Sequence, residues 1–166
     1  AALLTSQMLA YAGKSTLAKS NIDLSHLVGE MAELMESGTG HGAIFKSALQ
    51  TDLPPIEADP AQITQVVMNL ITNASEAAGD KRGEIRIETG LVSIDSLNRS
   101  QLVLGSDLKG SEYVYVEVQD NGAGMTPGIQ ARIFDPFFTT KFAGRGLGLA
   151  AVLGIVRSHH GALEID

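Results

Sequence analysis

The chain has 166 residues, of which 44% are hydrophobic, 19% charged and only 5% aromatic; this suits one main domain with a sizeable core and excludes a disordered or fibrous protein. Its 19 acidic against 12 basic residues give a net charge of -7, which argues against a surface built to coat nucleic acid, since phosphate backbones are held by clustered Lys and Arg. There is no cysteine, so disulfides, thiol nucleophiles and thiolate metal sites are out and a reducing compartment is favoured.

Residues 1 to 17 carry Leu3, Leu4, Met8, Leu9 and Ala12 at helical spacing with no partner segment nearby. Asp23 or Ser25 is a candidate cap for a second helix, whose apolar stripe is Leu24, Leu27, Val28, Met31, Leu34 and Met35. Ser37-Gly38-Thr39-Gly40 ends it, a short strand follows around Ala43 to Leu49, and Leu53-Pro54-Pro55 is extended by proline sterics. From Pro60 the apolar residues Ile63, Val66, Val67, Leu70, Ile71 and Ala74 predict a helix capped by Asp59 with Pro60 at its first position. Glu84 to Thr89 alternates as a half-exposed strand does, and Leu91 to Ile94 extends it. Asp95 to Gly110 reads as irregular, Tyr113 to Gln119 as a strand, and Thr126 to Lys141 as a short helix with a mobile loop. An apolar helix closes the chain from GRGLGLAAVLGIV, Gly144 to Val156, before Leu163-Glu164-Ile165-Asp166 opens a strand. The class is α/β or α+β, with helices layered on one face of a mixed sheet. No stretch reaches the roughly 18 apolar residues of a membrane span, so a soluble piece is expected. Its two ends look like cuts through a longer protein.

Three stretches carry chemistry. In QVVMNLITNASEA, the residues Gln65, Asn69, Thr72, Asn73 and Glu76 lie opposite the apolar stripe, and Asn69 and Asn73, four apart, stack on one face. An amide oxygen is a neutral hard ligand that Mg²⁺ accepts beside phosphate oxygens; an ordinary solvated helix face is the competing explanation. Asparagine is nevertheless a poor helix former, so two in mid-helix call for a return.

In YVYVEVQDNGAGM, strand parity puts Asp120 on the core-facing side with Val114, Val116 and Val118, where a carboxylate needs donors. Asn121-Gly122 turns the chain, and Gly124 permits a further close backbone approach. A purine amino group would be a fitting donor, although this chemistry does not separate adenine from guanine. A surface turn with local hydrogen bonds fits equally well.

IFDPFFTTK places Phe134, Phe137 and Phe138 around Pro136, either as core packing or as an anchored loop that swings Thr139, Thr140 and Lys141 over a nucleotide. Lys141 and Arg145 flank the glycines and are suited to phosphate charge. Glycine costs about 1 kcal/mol relative to alanine inside a helix. Gly144, Gly146 and Gly148 at a helix entrance therefore ask for a reason, and an anion at the helix N-terminus supplies one.

The ordered set NLITNA, DNGAGM, IFDPFFTTK and GRGLGL resembles the ATP-binding domain of sensor histidine kinases, in the superfamily shared with gyrase, Hsp90 chaperones and MutL, and most of all the nitrogen-regulation-like kinases. The resemblance implies a two-layer α/β sandwich over residues 22–166, lacking its closing strand, preceded in residues 1–20 by the tail of a dimerisation helix and a linker. It implies ATP and Mg²⁺ as cofactors, with Asn73 on the metal and Asp120 receiving the adenine amino group. Gly122 and Gly124 would shape the base pocket; Gly144, Gly146 and Gly148, with Thr140 and Leu147 beside them, would complete the nucleotide-binding set. Asn69 stands where the ATP-hydrolysing relatives keep a glutamate base, so transfer to another acceptor is expected over hydrolysis, with Lys141 and Arg145 as charge-compensating residues. The implied partners are a dimerisation domain bearing the phosphoacceptor histidine and a response-regulator receiver domain, in a homodimeric cytoplasmic parent whose membrane attachment stays open. His26, His41, His159 and His160 do not fit the acceptor's pattern. A slow ATPase that moves partner domains and a degenerate nucleotide-binding scaffold are the alternatives.

Overall fold

The computed structural model describes residues 17–38, 43–79, 83–97, 101–141, 144 and 146–166. The elements in chain order are β1 (Ser20–Ile22), α1 (Leu24–Gly38), β2 (Ile44–Leu49), β3 (Ile56–Ala58), α2 (Pro60–Ala78), β4 (Glu84–Ser93), a 3₁₀ turn (Ile94–Ser96), β5 (Leu102–Leu104), β6 (Glu112–Asp120), α3 (Pro127–Gln130), α4 (Gly148–Ser158) and β7 (Leu163–Glu164). They fall into two compact units, one of Ala18–Ser96 with Ser111–Gly124, the other of Leu97–Gly110 with Met125–Asp166.

In the first unit the sheet order is β2-β4-β6, with β2 parallel and β6 antiparallel to the central β4, so the sheet is mixed as expected. Alternation along β4 decides the layering. Ile85 and Ile87 are fully buried beneath Leu24, Leu27, Val28 and Ala32 of α1 and Val67, Ile71 and Ala74 of α2. Val114, Val116 and Val118 of β6 extend that face, while Arg86 and Glu88 of β4 point away from it. A small antiparallel pair, β1 with β3, joins Ile22 to Ile56 in register.

Both helix starts follow from capping. Asp23 caps α1, accepting the His26 N–H at 3.0 Å. Asp59 caps α2: its Oδ1 accepts the N–H groups of Ala61 and Gln62 at 3.0 and 3.3 Å, with Pro60 in the first turn. Its Oδ2 accepts the Ala18 N–H at 3.0 Å, which makes the cap a tie to the entering chain as well. The expected stripe on α1 holds except at Leu34, which is 58% exposed, because the contact with the sheet and α2 is narrower than the six-residue stripe.

In the second unit, β5 and β7 pair antiparallel, so a strand lies within the stretch expected to be irregular, and Leu163–Glu164 has its partner there. Gln101 supports the pairing: its carbonyl accepts the Ile165 N–H at 3.3 Å and its amide donates to Asp166 at 2.7 Å. Ala150, Ala151, Val152 and Ile155 form the buried face of α4. The first-helix expectation for residues 1–16 lies outside the described residues. No helix among the described residues is long and apolar enough to cross a membrane.

Candidate functional site

The first unit holds Asn69, Asn73, Asp120, Gly122 and Gly124. Asn69 and Asn73 are half-buried on the face of α2 away from the buried Val67, Ile71 and Ala74. The chain leaving β6 then turns against the end of that helix. A Cβ on Gly122 would collide with the carbonyl oxygen of Ala77, and would lie 2.8 Å from Asp120 Oδ1, so only glycine lets the turn sit this close. Ala77 is one helical turn beyond Asn73, so the Asp120–Gly122 turn meets α2 one turn past that asparagine.

Asp120 departs from expectation in one respect. It pairs across the ladder with the fully buried Ile85, so parity places it on the helix-covered face, yet its side chain is exposed. Parity selects a face; burial needs something above it, and Asp120 is the last residue of β6. The Gly122 N–H donates to its Oδ1 at 2.9 Å, the local bond a surface turn makes. Gly124 departs too: nothing approaches the position of its Cβ, and its positive φ of 66° rather than a close contact accounts for the glycine.

The second unit holds Thr140, Lys141, Gly144, Gly146, Leu147 and Gly148; Arg145 lies outside the described residues. Only Gly148 is within α4, as its first residue, so the helix carries one glycine penalty at its entrance and not three. Gly146 has φ 64°, and a Cβ there would strike the carbonyl group of Phe137 and stand 2.5 Å from the Phe138 oxygen. Its own carbonyl accepts the Phe137 N–H at 2.8 Å, which locks the phenylalanine segment onto the glycine segment. Thr139 organises the loop between them: its hydroxyl accepts the Lys141 N–H at 3.1 Å, and a Cβ on Gly144 would run into that hydroxyl. Leu147 precedes α4 without a side-chain cap hydrogen bond.

Phe134 and Phe138 are half-buried, as core packing requires, and Arg132 stacks over Phe138 at 4.4 Å; Phe137 is 62% exposed. The described histidines behave as surface residues or caps. His26 Nε2 is 3.7 Å from Glu30 on an exposed helix face, and His159 Nδ1 is 2.9 Å from the Ile155 carbonyl at the end of α4. Asn121 was expected only to turn the chain; its side chain in fact bonds to Glu84, and the sole sequence signal was an asparagine between a strand and a glycine.

Residues 58–166 match the family described as histidine kinase-, DNA gyrase B-, and HSP90-like ATPase. The chain is 33% identical over 163 residues to the sensory histidine kinase/phosphatase NtrB of Azospirillum brasilense, covering 98% of this chain and 40% of that protein. It therefore spans about two fifths of that relative's length. Full-length ShkA in complex with AMPPNP has a TM-score of 0.66 at 26% identity, over 94% of this chain and 30% of ShkA. Histidine kinase ThkA in complex with response regulator protein TrrA has a TM-score of 0.66 at 26% identity, over 96% of this chain and 41% of the other. With a family match over well more than half of the sequence, the chain belongs to the histidine kinase-, DNA gyrase B- and HSP90-like ATPase family.

Proposed function

We propose that this chain is the ATP-binding catalytic part of a two-component sensor histidine kinase, with residues 22–166 forming the nucleotide-binding domain and residues 1–20 the end of a dimerisation helix and its linker. The observation that carries the reading is the packing of Gly122 against the Ala77 carbonyl near the end of α2, which brings the turn after Asp120 to the helix one turn past Asn73. Asp120 accepts the adenine amino group, and Gly122 and Gly124 shape the turn under the base. Thr140, Gly144, Gly146, Leu147 and Gly148 form the phosphate-binding segment, with Lys141 and Arg145 compensating charge.

No group of three or more His, Cys, Asp or Glu among the described residues could hold a metal alone. The half-buried Asn73 amide nevertheless fits Mg²⁺, which keeps water and phosphate oxygens as its remaining ligands. Bound there, the ion would offset phosphate charge. Asn69 supplies no carboxylate to activate water, so the favoured acceptor is an imidazole nitrogen of a separate dimerisation domain. A P–N bond forms to the γ-phosphorus as the bond to the ADP oxygen breaks. The sensor kinase character of NtrB and ThkA, the AMPPNP bound to ShkA and the TrrA bound to ThkA support this reading, with a receiver domain as the next acceptor and a homodimeric parent.

The test mixes the chain with labelled ATP, with and without a dimerisation domain bearing the acceptor histidine. Acid-labile, base-stable label on that domain and negligible self-labelling are expected. Rapid hydrolysis by the chain alone would favour an ATPase that moves partner domains, and tight ATP binding without transfer a scaffold.

A further inference from the structure

The geometry points to Asn121 as a positioning residue for purine recognition, holding the Asp120 carboxylate through a side-chain splice between β6 and β4; this rests on the reading of Asp120 as the adenine acceptor. The β4–β6 ladder ends at the pair Ile85 and Asp120. One step further, the Asn121 N–H still donates to the Glu84 carbonyl, at 3.2 Å. The return bond is different: the Glu84 N–H donates to Asn121 Oδ1, at 2.8 Å, where a continuing strand would offer a backbone carbonyl. The amide side chain thus stands in for the main chain, and the backbone is free to leave the strand direction directly after Asp120 while both polar groups of Glu84 stay paired.

What Asn121 grips is well fixed. Glu84 begins the central strand, its carboxylate meets Lys46 of β2 at 2.7 Å, and the neighbouring Gly83 carbonyl accepts the Ile44 N–H at 2.7 Å. What it releases is also fixed, because Gly122 lands against Ala77 and returns its N–H to Asp120 Oδ1. That bond orients the carboxylate, with Oδ2 as the second acceptor. Losing Oδ1 of Asn121 would leave the Glu84 N–H without its partner and allow the turn to rotate, so Asp120 would no longer be held in one orientation.

The experiment titrates the chain calorimetrically with ADP and with GDP, both without Mg²⁺, in the native protein and in Asn121→Ala, Asn121→Asp and Asp120→Asn. Asn121→Ala is expected to weaken ADP binding by about tenfold, the scale of one lost hydrogen bond, and to erode the preference for ADP over GDP. Asn121→Asp keeps an acceptor at the same reach and should restore ADP affinity to within about twofold of the native value. Faster exchange of the Glu84 amide in Asn121→Ala, and not in Asn121→Asp, reads the splice directly. If Asn121→Ala lacks a cooperative melt, Asn121→Ser is measured instead. Native ADP affinity in the Ala or Ser variant, alongside loss in Asp120→Asn, would overturn the inference, as would equal losses in the Ala and Asp variants. Unchanged ADP affinity in Asp120→Asn would instead overturn the adenine assignment itself, and this inference with it.

Discussion

The Tyr115 hydroxyl donates a 2.6 Å hydrogen bond to Glu88 Oε1 on the sheet face opposite the helices. Tyr115 stands across from Gly90 in the ladder, and a Cβ on Gly90 would lie 2.7 Å from the tyrosine ring, so the missing side chain is what admits the ring. Arg86 holds the other carboxylate oxygen at 2.8 Å. The bond to Glu88, reinforced by burial, pushes the Tyr115 hydroxyl up to about 12. The same bond, then Arg86, holds the Glu88 carboxyl below its ordinary value of 4.5.

Tyr115→Phe should therefore lower the melting temperature by about 2–4 °C near neutral pH. The raised tyrosine value means its contribution is complete below about pH 10 and is lost as pH rises through about 12. The depressed Glu88 value means that its contribution is present above 4.5 and is lost as pH falls through the lower folded value. Melting curves of both proteins across pH should converge at both extremes; a constant gap would refute the coupling.

Asp59→Ala removes the acceptor for Ala61, Gln62 and Ala18 at once from a site only 8% exposed. A loss of about 1–2 kcal/mol is expected in urea denaturation, the upper part of the range for a helix cap. Asp59→Asn, which keeps one acceptor oxygen, should recover most of it.

Asn73→Ala should weaken nucleotide binding mainly where Mg²⁺ is present, and chelation with EDTA should bring the native protein towards the variant. A half-buried amide replaced by a methyl group on the polar side of α2 should change the melting temperature by less than about 4 °C. Equal losses with and without the metal would contradict its role as a ligand.

Gly146→Ala places a Cβ against the Phe137 carbonyl group in a left-handed backbone conformation. The expected cost is about 1–3 kcal/mol, together with weaker binding of triphosphate. Proteolysis at Phe137 and Phe138 should accelerate in the variant, and an unchanged digestion pattern would show that the glycine is not what holds that segment.

The most legible parts of the sequence were those where two local signals coincide. Asp59-Pro60 with the spacing from Ile63 to Ala74 announced α2, and the alternation of Glu84 to Thr89 announced β4, because cap chemistry and periodicity report directly on backbone conformation. β1, β3 and β5 were missed: three residues each contain too little pattern to read. The extra exposure of Leu34 and Asp120 was equally hidden, since periodicity gives the direction of a side chain and not what lies over it. The candidate site was named almost entirely from its four motifs. The contact of Gly122 with Ala77 and the Asn121–Glu84 splice join segments far apart in the chain, and nothing local encodes them.

The parallel pairing of β2 with β4 has a kinetic meaning. Ile44 aligns with Glu84, so those strands cannot meet until the chain has looped through β3 and the whole of α2. Closing that loop forfeits entropy before the first ladder bond forms, and docking the apolar side of α2 on Ile85 and Ile87 is what returns it. The apolar side of this helix is thus coupled to closing the loop, while Asn69 and Asn73 lie on its opposite side. Substitutions on the polar side can therefore change its chemistry while leaving the apolar contacts of that closure in place.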